Sequence, residues 1–149
     1  MRFPYLEREV DPLPGFPGSD KEWEPQITVR VGGPASVYIV PGLVDTGASL
    51  TIIPMRYLER LGVKPVGTIK LMSSGFAITI RLARVDLELR TARTTHTWSA
   101  LVGFGARRER ALWGQMGFLE HFLATFNTQR HLLTLRPNWT FPAPLYGGQ

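Results

Sequence analysis

Residues Leu43–Ser49 read Leu-Val-Asp-Thr-Gly-Ala-Ser, and this stretch constrains the chain more than any other. It holds one of only four aspartates, placed after two apolar residues and directly before Thr-Gly. A carboxylate at the end of a buried strand, followed by a residue that turns tightly, is presented on a rigid support. Asp45 supplies a carboxylate that can hold a water. Thr46 offers a hydroxyl to brace the loop, and Gly47 lets a backbone N–H approach the carboxylate. The same three residues also suit an ordinary Asx-type turn after a strand, so the surrounding sequence decides between the two.

After the loop comes Leu50-Thr-Ile-Ile-Pro54, then a segment with Met55, Leu58 and Leu61 on one face. Pro54 fits the first position of a short helix, and Gly62 fits its stop. Much later comes Ala111-Leu112-Trp113-Gly114, followed by Phe118-Leu119-Glu120-His121-Phe122-Leu123, which reads as an amphipathic helix. An Asp-Thr-Gly loop answered by an apolar-apolar-Gly triplet leading into a helix resembles the retropepsin-like aspartic proteases, the single-lobe family that includes retroviral proteases. The resemblance runs from about Gln26 to Arg136. It implies a mainly β fold, an acid-protease barrel with one or two short helices, active as a two-fold homodimer.

The remaining elements are read from the residues. Ile27–Val31 predicts a strand, Gly32-Gly33-Pro34 a turn, and Val37–Val40 a strand that Pro41-Gly42 breaks. Thr68–Met72 and Phe76–Ile80 predict a hairpin with Ser73-Ser74-Gly75 at its tip, and in the resembled family such a hairpin is the flap over the substrate. Val85–Leu89 and Thr97–Val102 alternate as strands, and Thr125–Leu135 resembles the family's final hairpin. Three units are expected: a Pro/Gly-rich arm over 1–25, the protease domain over 26–136, and a Pro/aromatic arm over 137–149. Both arms carry many aromatic rings, which disordered tails lack, so they are expected to dock, across the two-fold axis or over the cleft.

The resemblance assigns Asp45, Thr46 and Gly47 to catalysis. It places Leu43, Ala48, Ser49, Ile52 and Leu112 at substrate subsites, with Ser73, Ser74, Gly75 and Phe76 from the flap and Arg110 at the rim. Core packing explains Leu43, Ile52 and Leu112 equally well. Trp113, Gly114 and Gln115 support the site. Ser49 and Gln115 stand where retroviral enzymes carry an aspartate and an arginine, so a neutral contact is expected to replace that ion pair. Acid–base hydrolysis needs one carboxylate to take a proton and another to give one. Asp11 and Asp20 lie in the Pro/Gly-rich arm, and Asp86 lies in an alternating strand with no glycine loop. The second carboxylate is therefore expected from Asp45 of another copy.

Composition bounds the rest. The chain has 149 residues, enough for one domain with a core. It has no cysteine, and its histidines show no metal-ligand spacing, so no cofactor or metal is expected. The net charge of +5 comes from fourteen arginines and three lysines, dispersed along the chain. A basic surface invites an anionic partner, but no nucleic-acid motif is visible and no apolar run approaches a membrane span. Neither nucleic acid nor membrane is expected as a partner. The N-terminus lacks the pattern of a signal peptide, and a cytoplasmic location is expected. The function expected is that of an aspartic endopeptidase acting on peptide or protein substrates. The alternative is a retropepsin-fold dimerisation or peptide-binding module with little proteolysis.

Overall fold

The computed structural model describes residues 1–106, 109–139 and 141. The protein is mainly β. Seven strands form the principal sheet, in the order β4 (Gln26–Gly32), β5 (Val37–Val44), β10 (Ala111–Trp113), β6 (Ile52–Pro54), β9 (Thr95–Gly105), β8 (Phe76–Arg90) and β7 (Gly67–Ser73). An additional antiparallel pairing joins β4 to β8, from Arg30↔Glu88 to Gly32↔Asp86. A second sheet holds β1 (Arg2–Pro4), β12 (Leu132–Pro137) and β11 (Phe122–Asn127). Strands β2 (Leu6–Glu9) and β3 (Lys21–Glu24) form a separate hairpin. Among the described residues no helix is long and apolar enough to cross a membrane.

Strand β8 shows how one segment serves two cores. Successive side chains of a strand point to opposite faces. Val85, Leu87 and Leu89 enter the main core beside Trp98, Phe104 and Trp113. Ile78, Ile80 and Leu82 lie on the other parity and pack with Leu50 and Ile52 in a smaller cluster. Alternation predicts two strands here, Phe76–Ile80 and Val85–Leu89. The chain makes one strand of fifteen residues, since each face has its own apolar layer to cover.

Three other expectations change in detail. The strand at Val37 does not stop at Pro41-Gly42 but runs on to Val44. The Val44 N–H donates to the Pro25 carbonyl, so alternate residues of β5 direct their N–H groups to β4. Pro41 falls on the opposite parity, facing the edge where pairing with β10 begins only at Gly42. Its missing N–H therefore costs the ladder nothing. Gly42 has a steric reason: a Cβ there would lie 2.5 Å from Trp113 Nε1 and 2.8 Å from the Ala111 carbonyl.

The helix after Pro54 spans Arg56–Arg60 (α1), with Pro54 itself closing β6. It stops where Gly62 takes φ +67°. The helix expected over Phe118–Leu123 is instead a 3-10 turn at Leu119–His121 followed by β11. The apolar run is too short to sustain a helix alone. From Phe122 onward burial alternates, and the segment takes full register with β12, from Phe122↔Pro137 to Asn127↔Leu132.

The N-terminal residues dock on their own chain. Phe3 pairs with Leu133, Tyr5 is buried, and the Tyr5 N–H donates to the His131 carbonyl. The Trp23 ring stacks on His131 with centroids 4.0 Å apart. At the other end Phe141 joins an aromatic group with Trp98 and Phe122, while Trp139 is exposed. The remainder of the expected C-terminal arm lies outside the described residues.

Candidate active site

Strand β5 delivers Asp45 to a loop that returns through β6. Short β10 fits between them, parallel to β5 (Leu112↔Leu43, Trp113↔Val44) and antiparallel to β6 (Leu112↔Ile52). This insertion closes the loop, and residues 113–116 then hold it by backbone bonds. The Asp45 N–H donates to the Trp113 carbonyl at 3.1 Å. Gln115 N–H donates to the Ala48 carbonyl at 2.8 Å, and Met116 N–H to the Ser49 carbonyl at 3.1 Å. The Gln115 side chain adds a bond from Nε2 to the Thr46 carbonyl at 2.8 Å. Gln115 thus braces the loop through Thr46 and not through Ser49, where a neutral replacement contact was expected. Gly114 sits so close that a Cβ would lie 2.6 Å from the Leu50 carbonyl and 2.7 Å from that of Ala48.

Thr51 completes this bracing and escapes a reading of sequence alone. It is fully buried, a polar residue inside the apolar run Leu50–Ile53. Its Oγ1 accepts the Gly114 N–H at 3.1 Å. The Trp113 carbonyl and the Gly114 N–H belong to one planar peptide group. That group is therefore gripped on one side by the Asp45 backbone and on the other by the Thr51 hydroxyl. The available signal was a single hydroxyl in a buried strand, where an unbonded polar group would be costly.

Asp45 is half-buried, and its Oδ1 accepts the Gly47 N–H at 2.8 Å. It opens onto a cavity of about 250 Å³. Of the residues expected at the site, Asp45, Gly47, Ala48, Ser49, Ile52 and Leu112 line this cavity. Leu43 lies beside Leu112 in register but outside the lining, and Thr46 is exposed on the loop. The hairpin contributes Leu71, Met72 and Ile78 from its strands. The side chain of Ser73 lies outside what is described, and the other expected tip residues, Ser74, Gly75 and Phe76, do not line it. They form a tight turn, with Ser74 at φ +50° and Gly75 at φ +80°, and Phe76 is 74% exposed. Alternation marks Leu71 and Ile78, a registered pair, as facing the same way.

Arg110 is placed elsewhere. Its guanidinium forms a two-pronged bond with the Glu24 carboxylate, with Nη1 also donating to Gln26 Oε1 at 2.9 Å. Arg8 Nη1 also donates to Glu24 Oε1, at 3.0 Å. The Arg110 hydrogen bond holds the Glu24 carboxyl below its ordinary range against the opposing effect of burial, and the Arg110 and Arg8 charges add to it. Arg110 thus anchors the β2–β3 hairpin, which explains its absence from the cavity. Among the described residues no three His, Asp or Glu side chains gather as a metal site would require.

A β fold whose Asp-Thr-Gly loop is closed by an apolar-apolar-Gly strand defines the class of aspartic proteases. The chain belongs to the aspartyl protease family, of the retropepsin-like clan: the family model matches residues 27–104, which include the Asp45 loop and the β7–β8 hairpin. Strand β10 lies beyond that match. No curated protein matches the chain.

Proposed function

We propose that the protein is an aspartic endopeptidase, and that it hydrolyses peptide bonds with a water held between the Asp45 carboxylates of two copies. The observation that carries this reading is the Asp45 loop itself, braced by Trp113–Met116 and opening onto a cavity walled by Ile52, Leu71, Ile78 and Leu112. One Asp45, ionised, takes a proton from the attacking water. The other, protonated, donates to the scissile carbonyl. Two adjacent carboxyls share that proton because both cannot ionise side by side. One chain supplies one such loop, so the second carboxylate comes from a two-fold mate.

In this reading Thr46, exposed on the loop, bonds to its counterpart across the axis. The β7–β8 hairpin closes over substrate as a flap, with Leu71, Met72 and Ile78 on its inner side. The apolar walls favour bulky apolar residues flanking the scissile bond. The peptidase unit spans residues 26–136, with 1–25 and 137–149 as flanking arms. A peptide-library cleavage assay across pH tests the assignment, with Asp45→Asn beside the native chain. Asp45-dependent cleavage is the expected result. Retained cleavage in the pure variant overturns it, and binding of peptides without turnover in either protein favours a binding module.

A further inference from the structure

The β2–β3 hairpin is joined to the body at its base, through Glu24 and Trp23. Its strands are exposed along their length except near Glu24. A two-stranded hairpin alone is marginal in water, so one this exposed gains from a surface to lie on. Its tip is nonetheless organised. The Leu13 N–H donates to Ser19 Oγ at 2.7 Å, and Ser19 Oγ donates to the Phe16 carbonyl at 2.7 Å. The Phe16 N–H donates to the Leu13 carbonyl, and the Val10 N–H to that of Asp20. This loop presents Leu13 and Phe16 to solvent at 64% and 66% exposure. Apolar anchors held ready on a fixed loop lose little entropy on docking.

Charge says where they dock. Residues 6–24 contain six of the twelve carboxylates of the chain and two of its seventeen cations. The other residues contain fifteen cations and six carboxylates. The hairpin is acidic and the body is basic. On the outer side of β4, β5 and β8 lies a cavity of about 470 Å³ whose lining includes Thr28, Arg30, Ile39, Glu88 and Arg90. Ile39 is 63% exposed, and Val37, on the same face of β5, is exposed too. Arg30 Nε and Arg90 Nη2 lie 3.1 and 3.0 Å from Glu88 Oε1. That oxygen is buried, yet it receives no well-directed hydrogen bond. Each guanidinium carries five N–H donors, more than this one oxygen can take, which leaves donors for another carboxylate.

We propose that this cavity receives the hairpin tip of a second copy. Phe16 and Leu13 pack on Ile39 and Val37, and Asp11 and Asp20 face Arg30 and Arg90. Two copies exchange hairpins about a two-fold axis, so the contact closes on itself. The inference rests on the homodimer of the preceding reading and names the surface that joins it.

The chain has no cysteine, so F16C and I39C each introduce a single thiol. Mixing the two single variants under mild oxidation should give a disulfide-linked pair of copies, with a 16–39 linkage identified by peptide mass spectrometry. In sedimentation, L13D/F16D should weaken self-association by at least about tenfold, and about 0.5 M sodium chloride should weaken it in the native chain. R30E/R90E should weaken it likewise, and pairing that variant with a D11K/D20K copy should restore it. Circular dichroism confirms that each variant is folded.

The proposal is overturned by 16–16 or 39–39 linkages alone, or, in a chain carrying both F16C and I39C, by a 16–39 link formed only within one copy. It is equally overturned by self-association that L13D/F16D leaves unchanged, or by a native chain that stays monomeric. The two readings fail separately. A 16–39 linkage between copies without Asp45-dependent cleavage removes the peptidase and keeps the docking. Asp45-dependent cleavage without that linkage removes the docking and keeps the peptidase.

Discussion

The Asp45 loop and the β2–β3 hairpin are both turns between strands, and they are held by opposite means. The loop is fixed by backbone hydrogen bonds to residues 113–116, a segment rooted in the buried Trp113 and Gly114, and at Gly114 even a methyl group does not fit. The hairpin is fixed at its base by a charge cluster, Arg8–Glu24–Arg110, and by one stacked ring pair. Backbone bonds in a packed interior tolerate neither displacement nor added volume. Ion pairs near the surface tolerate both and respond to salt and pH. The difference separates what must be positioned from what can adapt to a partner.

The largest expected effect tests whether the loop's rigidity serves chemistry. Asp45→Asn, nearly the same shape, should lower peptide cleavage on the order of 10³-fold, with an unchanged unfolding transition. Gly114→Ala comes next. Its Cβ would meet two carbonyls at 2.6 and 2.7 Å, and it should cost about 3 kcal/mol in denaturant unfolding. A neutral result would show that the loop yields more readily than its bonding implies. Thr51→Val leaves the Gly114 N–H buried without its acceptor and should cost about 2 kcal/mol. Thr51→Ser should restore most of this, and failure to do so would place the effect in packing.

The smallest effect belongs to the hairpin and depends on pH. The Glu24 carboxyl is held below its ordinary range in the folded chain, first by its bond from Arg110. The stabilisation is therefore complete above the ordinary glutamate value and is lost as pH falls through the lower folded value. Hydrogen exchange at the Val10 amide, taken relative to its intrinsic rate, should quicken as pH falls below the ordinary glutamate value, while the Asp45 amide stays protected. Equal quickening at both would erase the contrast between the two regions.

Local pattern made the loop legible before the fold was seen, because Asp45, Gly47 and the apolar residues before them carry their roles in a few consecutive positions. The hairpin tip at Ser74-Gly75 and the strand at Ile27 were readable for the same reason. The misread elements depend on distant partners. Phe118–Leu123 looks helical until β12 offers Phe122 a ladder. Pro41 looks like a break until β10 is known to start one residue later. Arg110 sits next to the cavity strand in sequence, but Glu24 and Gln26, far away in the chain, claim its guanidinium. Thr51 gave only the oddity of its hydroxyl, since its acceptor role exists only once Gly114 arrives.

That late arrival has a consequence for biosynthesis. Gln115 reaches back 69 positions to the Thr46 carbonyl, and strand β10 must slide between β5 and β6 before the loop has its bracing. Contacts this distant in the chain form late in folding. A nascent chain that has emerged only through the β7–β8 hairpin carries the Asp-Thr-Gly residues without the scaffold that shapes them. The loop therefore takes its shape only once residues 111–116 have been made.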